Sequence, residues 1–182
     1  MRLRAERPRL GSGVGVATLL AAVVLLAAGP NAGAISHPSS ANARSATTPS
    51  LCGSIGSLDR LVVTRTNSIP QNHFRFAFPA SVTVTKAAAV RDAATALCAL
   101  PVMPRKGLHC PADWGITYHL AFFAKGHAFP AVDVDATGCR GVKGLGAVHW
   151  VARSPEFWKV LGAAMGLAHP NAGLFAGSRS GG

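Results

Sequence analysis

Ile116-Thr117-Tyr118-His119-Leu120-Ala121-Phe122, then Lys125-Gly126-His127, then Val132-Asp133-Val134-Asp135: this stretch carries the chain's clearest structural pattern. Ile116, Tyr118, Leu120 and Phe122 occupy every second position. In an extended chain that spacing places them on one face, which argues for a half-buried strand. Lys125-Gly126-His127 supplies a turn. Val132 and Val134 then resume the alternation, with Asp133 and Asp135 on the opposite face. Two alternating runs joined by a Gly-containing turn predict a β-hairpin.

The same period recurs upstream. Arg60 to Thr66 carries Leu61, Val62 and Val63 and reads as a strand. Phe74, Phe76 and Phe78 alternate with polar or small residues, and Val82 and Val84 continue beyond Pro79. A proline inside such a run points to an edge position or a bulge. From Lys86 to about Leu100 the period changes. Val90, Ala93, Ala94, Leu97 and Cys98 lie three and four apart, as on one face of a helix, with Thr85 as its expected N-cap. Pro101 and Pro104 stop it, and residues 101–115 form a loop.

Downstream, Ala147 to Val151 reads as a further strand. Gly141-Val142-Lys143-Gly144-Leu145-Gly146 before it reads as a loop or bulge, since the glycines lack phosphate-loop spacing. Ser154-Pro155-Glu156 is a helix start: a hydroxyl cap, proline at the first helical position, and a carboxylate near the positive end. Phe157, Val160, Leu161, Ala164 and Met165 are its expected buried face. The result is an α+β domain, an antiparallel sheet with two helices packed on one face.

The chain has 182 residues, of which 49% are hydrophobic, and a formal charge of +11. That suits one domain or at most two small ones and excludes a wholly disordered chain. The basic start (Arg2, Arg4, Arg7, Arg9), the apolar run Val14 to Ala28, the break at Pro30 and the small residues Ala32-Gly33-Ala34 match the three regions of a secretory signal peptide. The apolar run is shorter than the roughly 20 residues of a spanning helix, so cleavage near Ala34 is expected rather than a stable membrane span. Loss of residues 1–34 removes four Arg and one Glu, leaving +8. The division expected is a signal peptide over 1–34, a flexible polar leader over 35–50, a domain over 51–168, and a frayed tail over 169–182.

Export implies an oxidising compartment, where the four cysteines should pair. Four cysteines allow three connectivities. Cys110 and Cys139 flank the same end of the predicted hairpin, which favours pairing them and leaves Cys52 with Cys98. A metal site is disfavoured, because adjacent His109 and Cys110 cannot easily converge on one ion and no C-x-x-C is present.

The sequence carries few signs of catalytic chemistry. There is no G-x-S-x-G elbow, H-E-x-x-H helix or G-x-x-x-x-G-K loop. Asp133 and Asp135 have the spacing of paired carboxylates, but the solvated face of an amphipathic strand is the preferred reading. His119 and His149 both fall on predicted strands, which makes them a candidate pair. No catalytic residue, metal or cofactor is assigned. The cations Arg60/Arg65, Arg105/Lys106 and Arg140/Lys143 are dispersed, and the three tryptophans do not interleave with them, which argues against nucleic acid. The basic balance instead suits an anionic cell-envelope polymer or an extracellular protein.

Cys110-Pro111, Tyr118, Leu120, Gly126 and Cys139 together resemble the second half of the subtilisin-inhibitor-like family, over about thirty residues. That family comprises small secreted bacterial proteins with two disulfides, an antiparallel sheet and two helices. The resemblance implies an exposed loop presenting Cys110, Pro111, Ala112, Asp113 and Trp114 to a serine protease, with Ala112 entering the protease pocket and Asp113 following it. The family's first disulfide closes a short loop, whereas Cys52 and Cys98 stand far apart. More broadly the chain resembles exported proteins of high-GC bacteria, a likeness that implies no particular activity. The expectation is a secreted, non-enzymatic binding domain, with protease inhibition as the alternative.

Overall fold

In the computed structural model, residues 50–179 are described. The expected signal peptide 1–34 and leader residues 35–49 lie outside them. No helix among the described residues is long and apolar enough to cross a membrane.

The decisive stretch forms strand β4 (Ile116–Ala124), the short β5 (His127–Ala128) and β6 (Val132–Asp135), numbered after β1 (Arg60–Asn67), β2 (Phe74–Arg75) and β3 (Ser81–Val84). Strands β7 (Gly141–Leu145) and β8 (Ala147–Trp150) follow, and the main sheet runs β3-β1-β4-β6-β7-β8 with β5 on β4. Every pairing is antiparallel. The registers Leu61↔Phe122, Tyr118↔Val134 and Val134↔Val142 put the apolar positions of four strands on one face. Helices α1 (Ala87–Cys98) and α2 (Pro155–Ala164) cover that face, sharing one core with it through Val90, Leu97, Phe157, Trp158 and Leu161. Burying each large apolar side chain contributes roughly 1.5–3 kcal/mol. The architecture is α+β, as expected.

Both expected disulfides are present. Cys52–Cys98 joins the start of the domain to the end of α1 across 5.7 Å between Cα atoms, and Cys110–Cys139 spans 4.7 Å. The edge position suggested by Pro79 belongs to β3, which has only β1 as a neighbour.

Several local readings are corrected. Thr85 does not cap α1. Lys86 is the N-cap residue, and no side chain caps the helix there. The helix ends at Cys98, two residues before Leu100, because Pro101 disfavours helical backbone in the residue preceding it. Of the phenylalanine run, only Phe74–Arg75 is a strand. Phe76 and Phe78 follow it along an aromatic chain, with ring centroids 6.5 Å apart from Phe74 to Phe76 and 6.2 Å from Phe76 to Phe78. The glycine-rich stretch 141–146 is mostly strand β7, with a register irregularity between Val142 and Leu145. Gly144 (φ 102°) permits it, since a Cβ there would overlap the Ala131 carbonyl. On α2 the buried side is Phe157, Trp158 and Leu161, while Val160, Ala164 and Met165 are half-buried.

The stretch expected to fray is part of the fold. Residues beyond His169 form a third helix, α3 (Ala172–Ala176), and β9 (Ser178–Arg179), which pairs with β2. Asn171 caps α3, its side-chain oxygen accepting from the Gly173 and Leu174 N–H groups. Phe175 is fully buried, 4.7 Å from Trp158, 5.3 Å from Tyr118 and 5.4 Å from Phe78 between ring centroids. The Tyr118 hydroxyl donates to the Phe175 carbonyl at 2.8 Å. The folded domain therefore extends past residue 168, and Phe175 packs against the buried Trp158 of α2.

Candidate functional site

The segment Cys110–Asp113 has no regular structure and all four residues are exposed, yet it is held at both ends. Upstream, the chain leaves α1 alongside β8: the Trp150 N–H donates to the Pro101 carbonyl and the Met103 N–H to the Val148 carbonyl. Cys110 is then tied to Cys139, just ahead of β7.

Downstream, the anchor is Thr137, a buried polar residue at 6% exposure. Its hydroxyl donates to Asp113 Oδ1 at 2.7 Å and accepts the Trp114 N–H at 3.1 Å. Asp113 Oδ1 also accepts the Gly115 N–H at 2.9 Å. The Gly115 N–H, followed by the Thr137 hydroxyl, holds the Asp113 carboxyl below the usual carboxylate range. Asp113 is thus a brace for its own segment. Gly138 (φ 62°) permits the approach, because a Cβ there would come within 2.8 Å of Asp113 Cβ.

Two hollows adjoin this stretch, one at Cys110–Pro111 and one at Trp114. One, of about 250 Å³, is lined by His109, Pro111, Arg140 and Trp150. The other, of about 240 Å³, is lined by Asn72, Phe74, Trp114 and Arg179. The Arg179 guanidinium stacks 3.7 Å from the Trp114 ring centre, so the tail helps to build this wall. Trp150 is fixed by its indole N–H, which donates to the Cys139 carbonyl. The arrangement is a short, braced, accessible peptide ridge whose first residues line one partly aromatic recess and whose following residue, Trp114, lines another.

Other residues singled out from the sequence fall elsewhere. Asp133 and Asp135 share the open face of the sheet, as alternation requires, but each has its own partner. Asp135 accepts from the Thr117 hydroxyl and lies 3.8 Å from Lys143 Nζ, while Asp133 meets His119. They do not form a paired-carboxylate site. His119 and His149 are not brought together, because β6 and β7 separate their strands. His149 instead bonds the Leu100 carbonyl. Among the described residues, no three or more His, Cys, Asp or Glu side chains gather as a metal site would require. Arg60 and Arg65 lie over the Phe123 and Phe76 rings rather than in a basic groove.

One grouping is not visible in the sequence alone. Asp133, His119 and Thr66 line up across three neighbouring strands: Asp133 Oδ1 to His119 Nδ1 is 2.5 Å, and His119 Nε2 to Thr66 Oγ1 is 3.1 Å. The missing information was register, since Thr64, not Thr66, is directly opposite His119. The comparisons add no relative: no family model, curated protein or solved structure matches the chain.

Proposed function

We propose that the chain is an exported binding domain that works by presenting the ridge Cys110–Asp113 to a partner rather than by turning over a substrate. The observation that carries this reading is the double anchoring of an exposed segment, by Cys110–Cys139 at one end and by Asp113 with Thr137 at the other. A segment ordered before binding loses little conformational freedom on association, which favours affinity without a large interface. Export is supported by the basic, apolar and small-residue sequence of residues 1–34 and by the pairing of all four cysteines, a pattern of oxidising compartments. The +8 balance after processing favours an anionic cell-envelope polymer or an acidic extracellular protein as partner.

A second reading draws on the same segment: inhibition of a serine protease, with Ala112 entering the specificity pocket. It is favoured by the exposed, irregular course of residues 110–113 beside a disulfide. One experiment addresses both readings. The oxidised protein and an Ala112→Trp variant are titrated against subtilisin and, separately, sedimented with purified cell-wall sacculi at low and high salt. Stoichiometric loss of protease activity that Ala112→Trp abolishes selects inhibition. Salt-sensitive sedimentation weakened by Ala112→Trp selects polymer binding. Retention equal in both proteins with no inhibition overturns the role given to the ridge.

A further inference from the structure

On the open face of the sheet, three side chains form a chemical sequence. Asp133 is a carboxylate and can only accept, so its 2.5 Å contact places a proton on His119 Nδ1. In the neutral ring this leaves Nε2 as an acceptor, 3.1 Å from the Thr66 hydroxyl. That hydroxyl has a second acceptor within reach, the Thr117 carbonyl at 3.4 Å, and the imidazole contact is the shorter. A hydroxyl within hydrogen-bond reach of an imidazole, itself oriented by a third group, is the arrangement that activates a nucleophile. Three antiparallel strands hold it: β1 carries Thr66, β4 His119 and β6 Asp133. Thr66 is exposed, so small molecules reach it.

We infer that Thr66 is a reactive hydroxyl that accepts an acyl group from small activated esters, with His119 as its base and Asp133 as the residue positioning the imidazole. In the step, Thr66 Oγ forms a bond to the ester carbonyl carbon while its proton passes to His119 Nε2. The bond from that carbon to the leaving oxygen then breaks. The leaving alkoxide or phenoxide takes the proton from Nε2, so an ester on Thr66 and a free alcohol or phenol result. No oxidant or further reactant is needed. The proposal does not depend on the ridge and adds a covalent modification site to a domain that otherwise binds.

The test treats the full oxidised chain with p-nitrophenyl acetate and locates acetyl groups by peptide mass spectrometry, with hydroxylamine separating esters from lysine amides. The expected result is one hydroxylamine-sensitive acetyl on the peptide bearing Thr66. It should be retained in Thr66→Ser, absent in Thr66→Val, and formed about 10²–10⁴ times more slowly in His119→Gln, the range for a lost general base. Asp133→Asn should slow acetylation at unchanged melting temperature, which a merely structural role would not do. Acetyl groups confined to lysines and the amino terminus overturn the inference. So does ester formation at Thr66 at equal rates in the wild type and His119→Gln. If His119→Gln does not fold, the Thr66→Ser and Thr66→Val pair decides the matter, because Thr66 is exposed and its replacement leaves the core intact.

Discussion

Replacing Phe175 by Ala tests whether the C-terminal segment is part of the domain. The ring is fully buried and meets Trp158, Tyr118 and Phe78 at centroid distances of 4.7, 5.3 and 5.4 Å. Truncating a buried phenylalanine costs about 3–5 kcal/mol, combining lost transfer energy with the cavity left behind. The Tyr118–Phe175 hydrogen bond uses the backbone carbonyl and survives the substitution, so the loss belongs to the ring alone. A domain of this kind has only about 5–15 kcal/mol in total. At roughly 3 °C per kcal/mol for this size, the melting temperature should fall by about 9–15 °C. The assay is thermal unfolding of the oxidised protein followed by far-ultraviolet circular dichroism, with Ser178→Ala as an exposed control in the same segment, expected to change stability by less than about 0.5 kcal/mol. A drop below about 3 °C for Phe175→Ala refutes the reasoning, since it would mean that the segment frays as its composition first suggested.

Other outcomes follow from the same structure. Burial pushes the Tyr118 phenol well above its usual range. The stability it contributes is therefore complete below pH 10 and is lost as pH rises above that value, by up to about 1.4 kcal/mol per pH unit; Tyr118→Phe should flatten this alkaline limb in denaturant titrations run between pH 9 and 11. Reducing Cys52–Cys98 and Cys110–Cys139, which span 46 and 29 positions, should remove about 4 and 3.5 kcal/mol by the chain-entropy relation. Equal melting of the oxidised and reduced protein would falsify the stapling argument. Asp113→Ala and Gly138→Ala should each speed protease nicking within residues 110–114 several-fold while barely moving global unfolding, as read by timed digestion and mass spectrometry. The Asp113 brace should also weaken as pH falls through the carboxyl's lowered range, being fully in place above its ordinary value. Gly144→Ala should destabilise the β6–β7 pairing by more than the about 1 kcal/mol typical of a point change, because its Cβ would meet the Ala131 carbonyl; hydrogen exchange at Val134 and Val142 reports it.

Strand alternation was the most legible feature. Ile116, Tyr118, Leu120 and Phe122 are all buried, because period two leaves only one way to hide four large side chains on a sheet. The hairpin also carried enough geometry to pair Cys110 with Cys139. Long-range partners were not legible. Trp158 lies next to Phe157 in sequence, and helical period alone assigns both to the core only when something covers the second flank. That cover is Phe175, brought back by a short helix whose signal was confined to Asn171 as a cap. The ridge could be located from Cys110-Pro111, but its brace could not, since nothing local to Asp113 indicates a bond to Thr137, 24 residues on. Thr66 escaped notice for a similar reason: a threonine on an alternating strand looks like ordinary surface until a neighbouring strand sets an imidazole beside it.

The position of Phe175 also bears on how the protein is made. In chain order it comes after Phe78, Tyr118 and Trp158, the three rings it joins. A ribosome releasing the polypeptide from its amino end therefore delivers the keystone of the aromatic centre late. Until it arrives, the sheet and its helices have an open seam, and the nascent chain is held back from completing its native core. Closure of the aromatic centre therefore waits on residue 175, however early the elements before it form.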